Sequence, residues 1–110
     1  ALSFAKKYNP ELVIDLATLT GSAAKAVGKY GIVAMGNVNQ SIFNLFPKCG
    51  NEVSERVAFQ PFWDDYSQEL ESYVADLKNI GSAEAGHITA GKFLEHFTKE
   101  GAKKSYPWIH

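Results

Sequence analysis

Glu11–Ser22 reads ELVIDLATLTGS, and the fold follows from how this stretch is divided. Leu12–Ala17 is apolar except for Asp15. So nearly unbroken a run is the pattern of a strand covered on both faces, as in parallel sheets flanked by helices. It stops on Thr18, Thr20 and Gly21 rather than on an ordinary turn, and the alanine-rich segment Ser22–Gly28 follows. Alanine has the best helix propensity, Thr20 or Ser22 can cap the helix start, and Gly28 suits a left-handed terminus. A junction between a central strand and a helix is a place where α/β proteins hold ligands.

Working outward, Ala1, Phe4, Ala5 and Tyr8 fall on one helical stripe, which Asn9-Pro10 ends because proline excludes the helical conformation before it. Tyr30–Gly36, between glycines, predicts a second strand. Ile42, Leu45, Phe46 and Cys49 share a helical face, with Asn39 as cap and Gly50 as terminator. Arg56–Phe62 is extended, and Pro61 bars a central strand position. Trp63–Ser72 predicts a helix with acids near its front, where the helix dipole favours them. Tyr73–Leu77 predicts a third short strand and Asn79–Gly86 a loop. Ala90, Phe93, Leu94 and Phe97 form the clearest helical stripe, and Pro107–His110 opens a strand. Strands alternating with helices predict an α/β fold: a mainly parallel or mixed sheet with helices on both faces. The elements at Ala1 and His110 read as already under way or just opening, so the sheet is expected to be incomplete at both ends.

The 110 residues suffice for one domain, and 45% hydrophobic with 21% charged residues matches ordinary globular chains. Eleven basic against twelve acidic side chains leave no field that favours nucleic acid or an anionic membrane. The basic pair Lys103-Lys104 reads as a solvated connector. The single cysteine cannot form an internal disulfide, and no apolar run approaches the roughly 18 residues of a membrane span, so a cytoplasmic location is expected.

No nucleophile has a recognisable flank. Cys49 reads as a buried structural thiol on its apolar face. His87 and His96 are nine residues apart, too far for a zinc pair; His87 reads as a hydrogen-bonded residue at the core edge, and His96 joins Lys92, Lys99 and Glu100 on a polar face. Asp64-Asp65, Glu69 and Glu71 suit a solvated face. Asp15 and Asp76 differ, because a carboxylate inside an apolar strand is costly unless it accepts hydrogen bonds; both read as acceptors for backbone N–H groups, with catalysis the other option. Asp76 and Asn79 read as loop braces. The Gly21–Gly28 spacing matches no phosphate-binding glycine motif, although a helix start after Gly21 can attract an anion.

Two blocks, VIDLATLTGSAAKAVGKYGIVAMGN and FWDDYSQELESYVADLKNIGSAEAGHITAGKFLEHF, closely resemble the catalytic domain of the leucyl (cytosol) aminopeptidases, the M17 metalloexopeptidases. The similarity covers nearly the whole chain. It implies a zinc-exopeptidase-like fold, release of N-terminal residues such as leucine from peptides, a homo-hexamer, and two divalent ions, manganese or zinc. The ions' ligands, several in an Asn-Thr-Asp-Ala-Glu-Gly-Arg motif, are expected upstream of Ala1. No catalytic or metal-binding residue is therefore expected within the chain, and no bound ion. The resemblance assigns substrate contact to Thr18, Leu19, Thr20 and Gly21, whose small size and main-chain groups suit close approach. Valine after Arg56 and acidic Glu84 depart from the family's usual loops. Two other readings stand beside this one: a module binding an anion or nucleotide at the Gly21 helix terminus, and a degenerate peptidase kept for assembly.

Overall fold

The computed structural model describes residues 1–99 and 105–110. Helix α1 (Leu2–Ala5) runs into a 3-10 turn, Lys6–Tyr8, which Asn9 ends in the left-handed conformation just before Pro10. Strand β1 (Val13–Ile14) follows, then α2 (Gly21–Val27), β2 (Ile32–Ala34), α3 (Gln40–Glu52) and β3 (Val57–Phe59). A 3-10 helix over Asp64–Leu70 carries its acids in the first turn. The chain then forms α4 (Gly86–His96) and β4 (Trp108–Ile109).

Among the described residues the strand ladders are parallel: β1 with β4, in register Val13↔Trp108 and Ile14↔Ile109, and β2 with β3. The two pairs are joined where the chain leaving β2 meets β4 antiparallel. Met35 and His110 exchange both main-chain hydrogen bonds, at 3.0 and 2.8 Å, and Asn37 N–H donates to the Trp108 carbonyl at 3.1 Å. The spatial order is therefore β1, β4, β2, β3. Helix α2 packs on β2 and α3 on β3, giving the mixed α/β architecture with parallel strands that the alternation predicts. Gly36 is small because a Cβ there would meet the Trp108 carbonyl. The core gathers Ala34, Val38 and Ile109 with Phe43, Phe46 and Phe59, whose rings meet edge to face.

Several expectations are corrected. The strand from Glu11 is two residues long and covered on one side only; its main-chain pairing ends where Asp15 N–H donates to the Ile109 carbonyl, and Leu16 is 89% exposed. Tyr73–Leu77 is no strand. The Ser72 hydroxyl accepts from the Val74 and Ala75 amides, and Lys78 N–H returns to the Leu70 carbonyl, so local turn bonds replace a ladder and Tyr73 and Val74 stand fully exposed. That loop is braced by Ser72, and Asp76 is exposed.

The caps are mixed. Asn39 caps α3, its side chain accepting from Ile42 N–H at 3.0 Å. Thr20 holds the cap position of α2, but its hydroxyl accepts from Ser22 at 3.1 Å instead of from a helix amide. Gly28 has the expected positive φ, 63°. Gly50 lies inside α3, not at its end, where a Cβ would run into the Glu55 carbonyl; Ser54 takes the left-handed turn instead. The buried face of α3 is Ile42, Phe43, Phe46 and Gly50, which turns Cys49 and Leu45 out to solvent. On α4, the buried residues are Ile88, Thr89, Gly91, Lys92 and Glu95, and the predicted Ala90–Phe93–Leu94–Phe97 stripe lies about half a turn away. The pair Lys103-Lys104 and Glu100 lie outside the described residues.

Candidate functional site

Thr18, Leu19 and Thr20 end the link from β1 to α2, Gly21 is the first residue of that helix, and all four line one cavity of about 510 Å³. The opposite wall includes Val33 and Met35, and two imidazoles, His87 and His110, border it. A Cβ on Gly21 would meet nothing within 4 Å, so the space above the helix start is open. A second cavity, of about 560 Å³, shares Ala17, Thr18 and His110 and is walled by Ile14, Phe46 and Val57. Both lie where the chains of β1 and β2 run beside each other past the end of β4.

Asp15 lines the second cavity and, among the described residues, its carboxylate is held by side chains instead of the backbone amides that its setting in an apolar strand suggested. Its Oδ2 accepts from the Trp108 indole N–H at 2.5 Å and its Oδ1 from His110 Nδ1 at 2.6 Å. With the carboxylate as acceptor, Nδ1 carries the proton. Register explains the grouping: Asp15 continues the ladder opposite His110, and Trp108 lies two residues away on the same face of β4. Tyr106 is also within reach of this charge. Burial first, and the negative charge of Asp15 second, push its phenol up, and its hydroxyl donates to the Leu2 carbonyl at 2.8 Å.

His87 holds the core-edge position expected of it. Its Nε2 is 3.1 Å from Gln60 Oε1, and its Nδ1 is buried with no partner among the described residues. With Nε2–H donating to Gln60, protonation of Nδ1 would bury a charged donor with no acceptor. Burial accordingly pushes the imidazole down from its ordinary 6.5. His96 is exposed and rests against the Phe97 ring.

The family profile for the catalytic domain of the cytosol aminopeptidases matches residues 1–110. The chain belongs to the cytosol aminopeptidase family. Among its relatives, a probable cytosol aminopeptidase of Saccharophagus degradans is 41% identical over 110 residues, and the cytosol aminopeptidase of Pseudomonas aeruginosa is 40% identical over 110 residues. A third, from Nitrosococcus oceani, is 41% identical over the same length. Each match takes in 100% of this chain and 21% of the relative, so the chain spans about a fifth of the length of these curated relatives.

Family membership is shared by the peptidase reading and the degenerate-peptidase reading of the sequence; α2, at seven residues, is short for an anion site of its own. The resemblance to this family implies two divalent ions. Among the described residues no group of three or more His, Cys, Asp or Glu is placed to hold an ion, so these residues do not fit the pair of ions. Among the described residues no helix is long and apolar enough to cross a membrane.

The side chain that the sequence reading misplaced most is Lys92, assigned to a polar surface face. It is 1% exposed, with Nζ 3.1 Å from both Asp64 Oδ1 and Glu95 Oε2 and 4.0 Å from the centre of the Phe62 ring. Lys99 adds a second cation 3.5 Å from Glu95. Together with the His87–Gln60 bond, this cluster ties the Gln60–Asp64 segment to the inner face of α4. An acid three residues after the lysine was the available signal, since that spacing brings the pair together on a helix.

Proposed function

We propose that this chain is part of the C-terminal catalytic domain of a longer cytoplasmic polypeptide that releases N-terminal residues, leucine among them, from peptides. What carries the reading is the match of residues 1–110 to the family's catalytic domain. Thr18–Gly21 is the chain's contribution to the substrate site. Two features support that role: the segment borders an open cavity, and its main-chain groups can address a peptide without rotamer cost. The homo-hexamer and the two divalent ions, manganese or zinc, belong to the same proposal, with the ions held by residues outside this chain.

The test is made on the longer polypeptide, supplied with manganese or zinc, against leucine p-nitroanilide, a leucyl dipeptide and the same dipeptide acetylated at its N-terminus. Hydrolysis of the first two and not of the third is expected. Cleavage of the acetylated peptide, or of none of the three, would overturn the assignment.

A further inference from the structure

We propose that Asp15 is a positioning residue for the Thr18–Gly21 segment, acting through the two hydrogen bonds its carboxylate takes from Trp108 and His110. The inference rests on the peptidase reading above and adds to it a residue that touches neither the substrate nor the reacting atoms.

Three observations carry it. First, main-chain pairing of β1 stops at Asp15, whose N–H donates to Ile109 at 3.0 Å; Leu16 is 89% exposed, and the segment up to Gly21 has no strand structure. The backbone ladder therefore does not set the direction in which the segment leaves the sheet. Second, the Asp15 side chain is held at both oxygens, by Nε1 of Trp108 at 2.5 Å and Nδ1 of His110 at 2.6 Å. Third, these donors are themselves packed and hydrogen-bonded in place. Trp108 is 0% exposed and rests against the Phe62 and His110 rings, while His110 is anchored to Met35 through both of its main-chain groups. A carboxylate is the only side chain of this size with two acceptors for two facing donors; an asparagine would turn its own N–H₂ against one of them. Three residues before Thr18, the clamp fixes the strand end from which the cavity wall hangs, and a shift of about 1 Å in such a wall is enough to cost on the order of a hundredfold in rate.

The experiment compares Asp15→Asn, His110→Ala and His110→Asn with the unaltered longer polypeptide. It measures kcat and KM on leucine p-nitroanilide and the fluorine resonance of fluorotryptophan at position 108, with exposed Trp63 as internal reference. Asp15→Asn is expected to lower kcat/KM by about 10- to 100-fold, mostly in kcat, and to shift the resonance at position 108. His110→Ala leaves the indole bond in place and is expected to lose less, while His110→Asn restores a donor at the Nδ1 position and recovers most of that loss. Where Asp15→Asn fails to fold, the histidine pair decides the matter: full kcat in His110→Ala, or no recovery in His110→Asn, overturns the inference. Unchanged kcat/KM in a folded Asp15→Asn whose resonance has shifted overturns it alone. Inactivity of the unaltered polypeptide overturns the peptidase reading and this inference with it.

Discussion

A lysine with 1% exposure is costly unless its charge is met, and Lys92 is met unequally by its two acids. Asp64 is 98% exposed and remains in water whether or not the lysine is there, whereas Glu95 is 9% exposed and depends on a cation. Lys92→Ala is therefore expected to destabilise the fold by about 3 kcal/mol, the low end for a broken buried pair because Lys99 stays near Glu95. Asp64→Asn should leave the urea midpoint unchanged. Equal midpoints for Lys92→Ala and the unaltered protein would show that the cluster is held by packing alone. His87 makes a pH-dependent contribution of definite sign. Its folded value lies below the ordinary 6.5, so the unfolded chain binds the proton more readily. The stability it contributes is complete above about pH 6.5 and is lost as pH falls through the folded value. In urea midpoints measured between about pH 5 and 7.5, His87→Gln should show a shallower slope than the unaltered protein. Sequence reasoning reached His87 but not Lys92, because hydropathy ranks a lysine as surface and cannot see a pairing made through the fold.

At the scale of elements, α4 shows how far periodicity can mislead. Its apolar residues do recur at helical spacing, and the helix forms where they predict it, but the face they mark is not the one that packs on the rest of the chain. Gly91 lies on the packed face, where a Cβ would run into the Met35 sulfur and approach the Phe62 ring to 3.0 Å. Alanine would gain about 1 kcal/mol of helix propensity there, but overpacking costs about 1–3 kcal/mol. Gly91→Ala is accordingly expected to lower the melting temperature, and a rise would mean that α4 can move away from Met35 freely. In α3, the cap at Asn39 was legible because it is a local hydrogen bond, whereas the outward turn of Cys49 was not. Ile42, Phe43 and Phe46 centre the buried arc away from it, and only contact with Phe59 reveals that centre.

The whole molecule exposes 7722 Å², against roughly 6,000 Å² for a typical monomer of its 12.1 kDa mass. Leu16, Tyr73, Val74 and Ile80 stand among the exposed apolar side chains. Surface of this amount and kind drives association, so the 110-residue chain by itself is expected to elute in gel filtration above its monomer mass, with a concentration-dependent shift. A sharp monomer peak at all concentrations would contradict this. The same chain, incubated with manganese and leucine p-nitroanilide, is expected to give no turnover, since its described side chains gather no metal-binding group; measurable hydrolysis would overturn that expectation.

The amino-acid sequence alone determined what depends on neighbours along the chain: the strand-to-helix junction at Thr18–Gly21, the positive φ of Gly28, the Asn39 cap and the alternation that makes the fold α/β. The long motifs also carried the family resemblance. Tertiary structure decided what depends on residues far apart in sequence. It brought Asp15 to Trp108 and His110, buried Lys92 beside Glu95 beneath Phe62, and opened the cavity beside Thr18. The reason is physical: helix and turn signals are written in bonds spanning a few residues, while burial and ion pairing are settled by which distant surfaces meet.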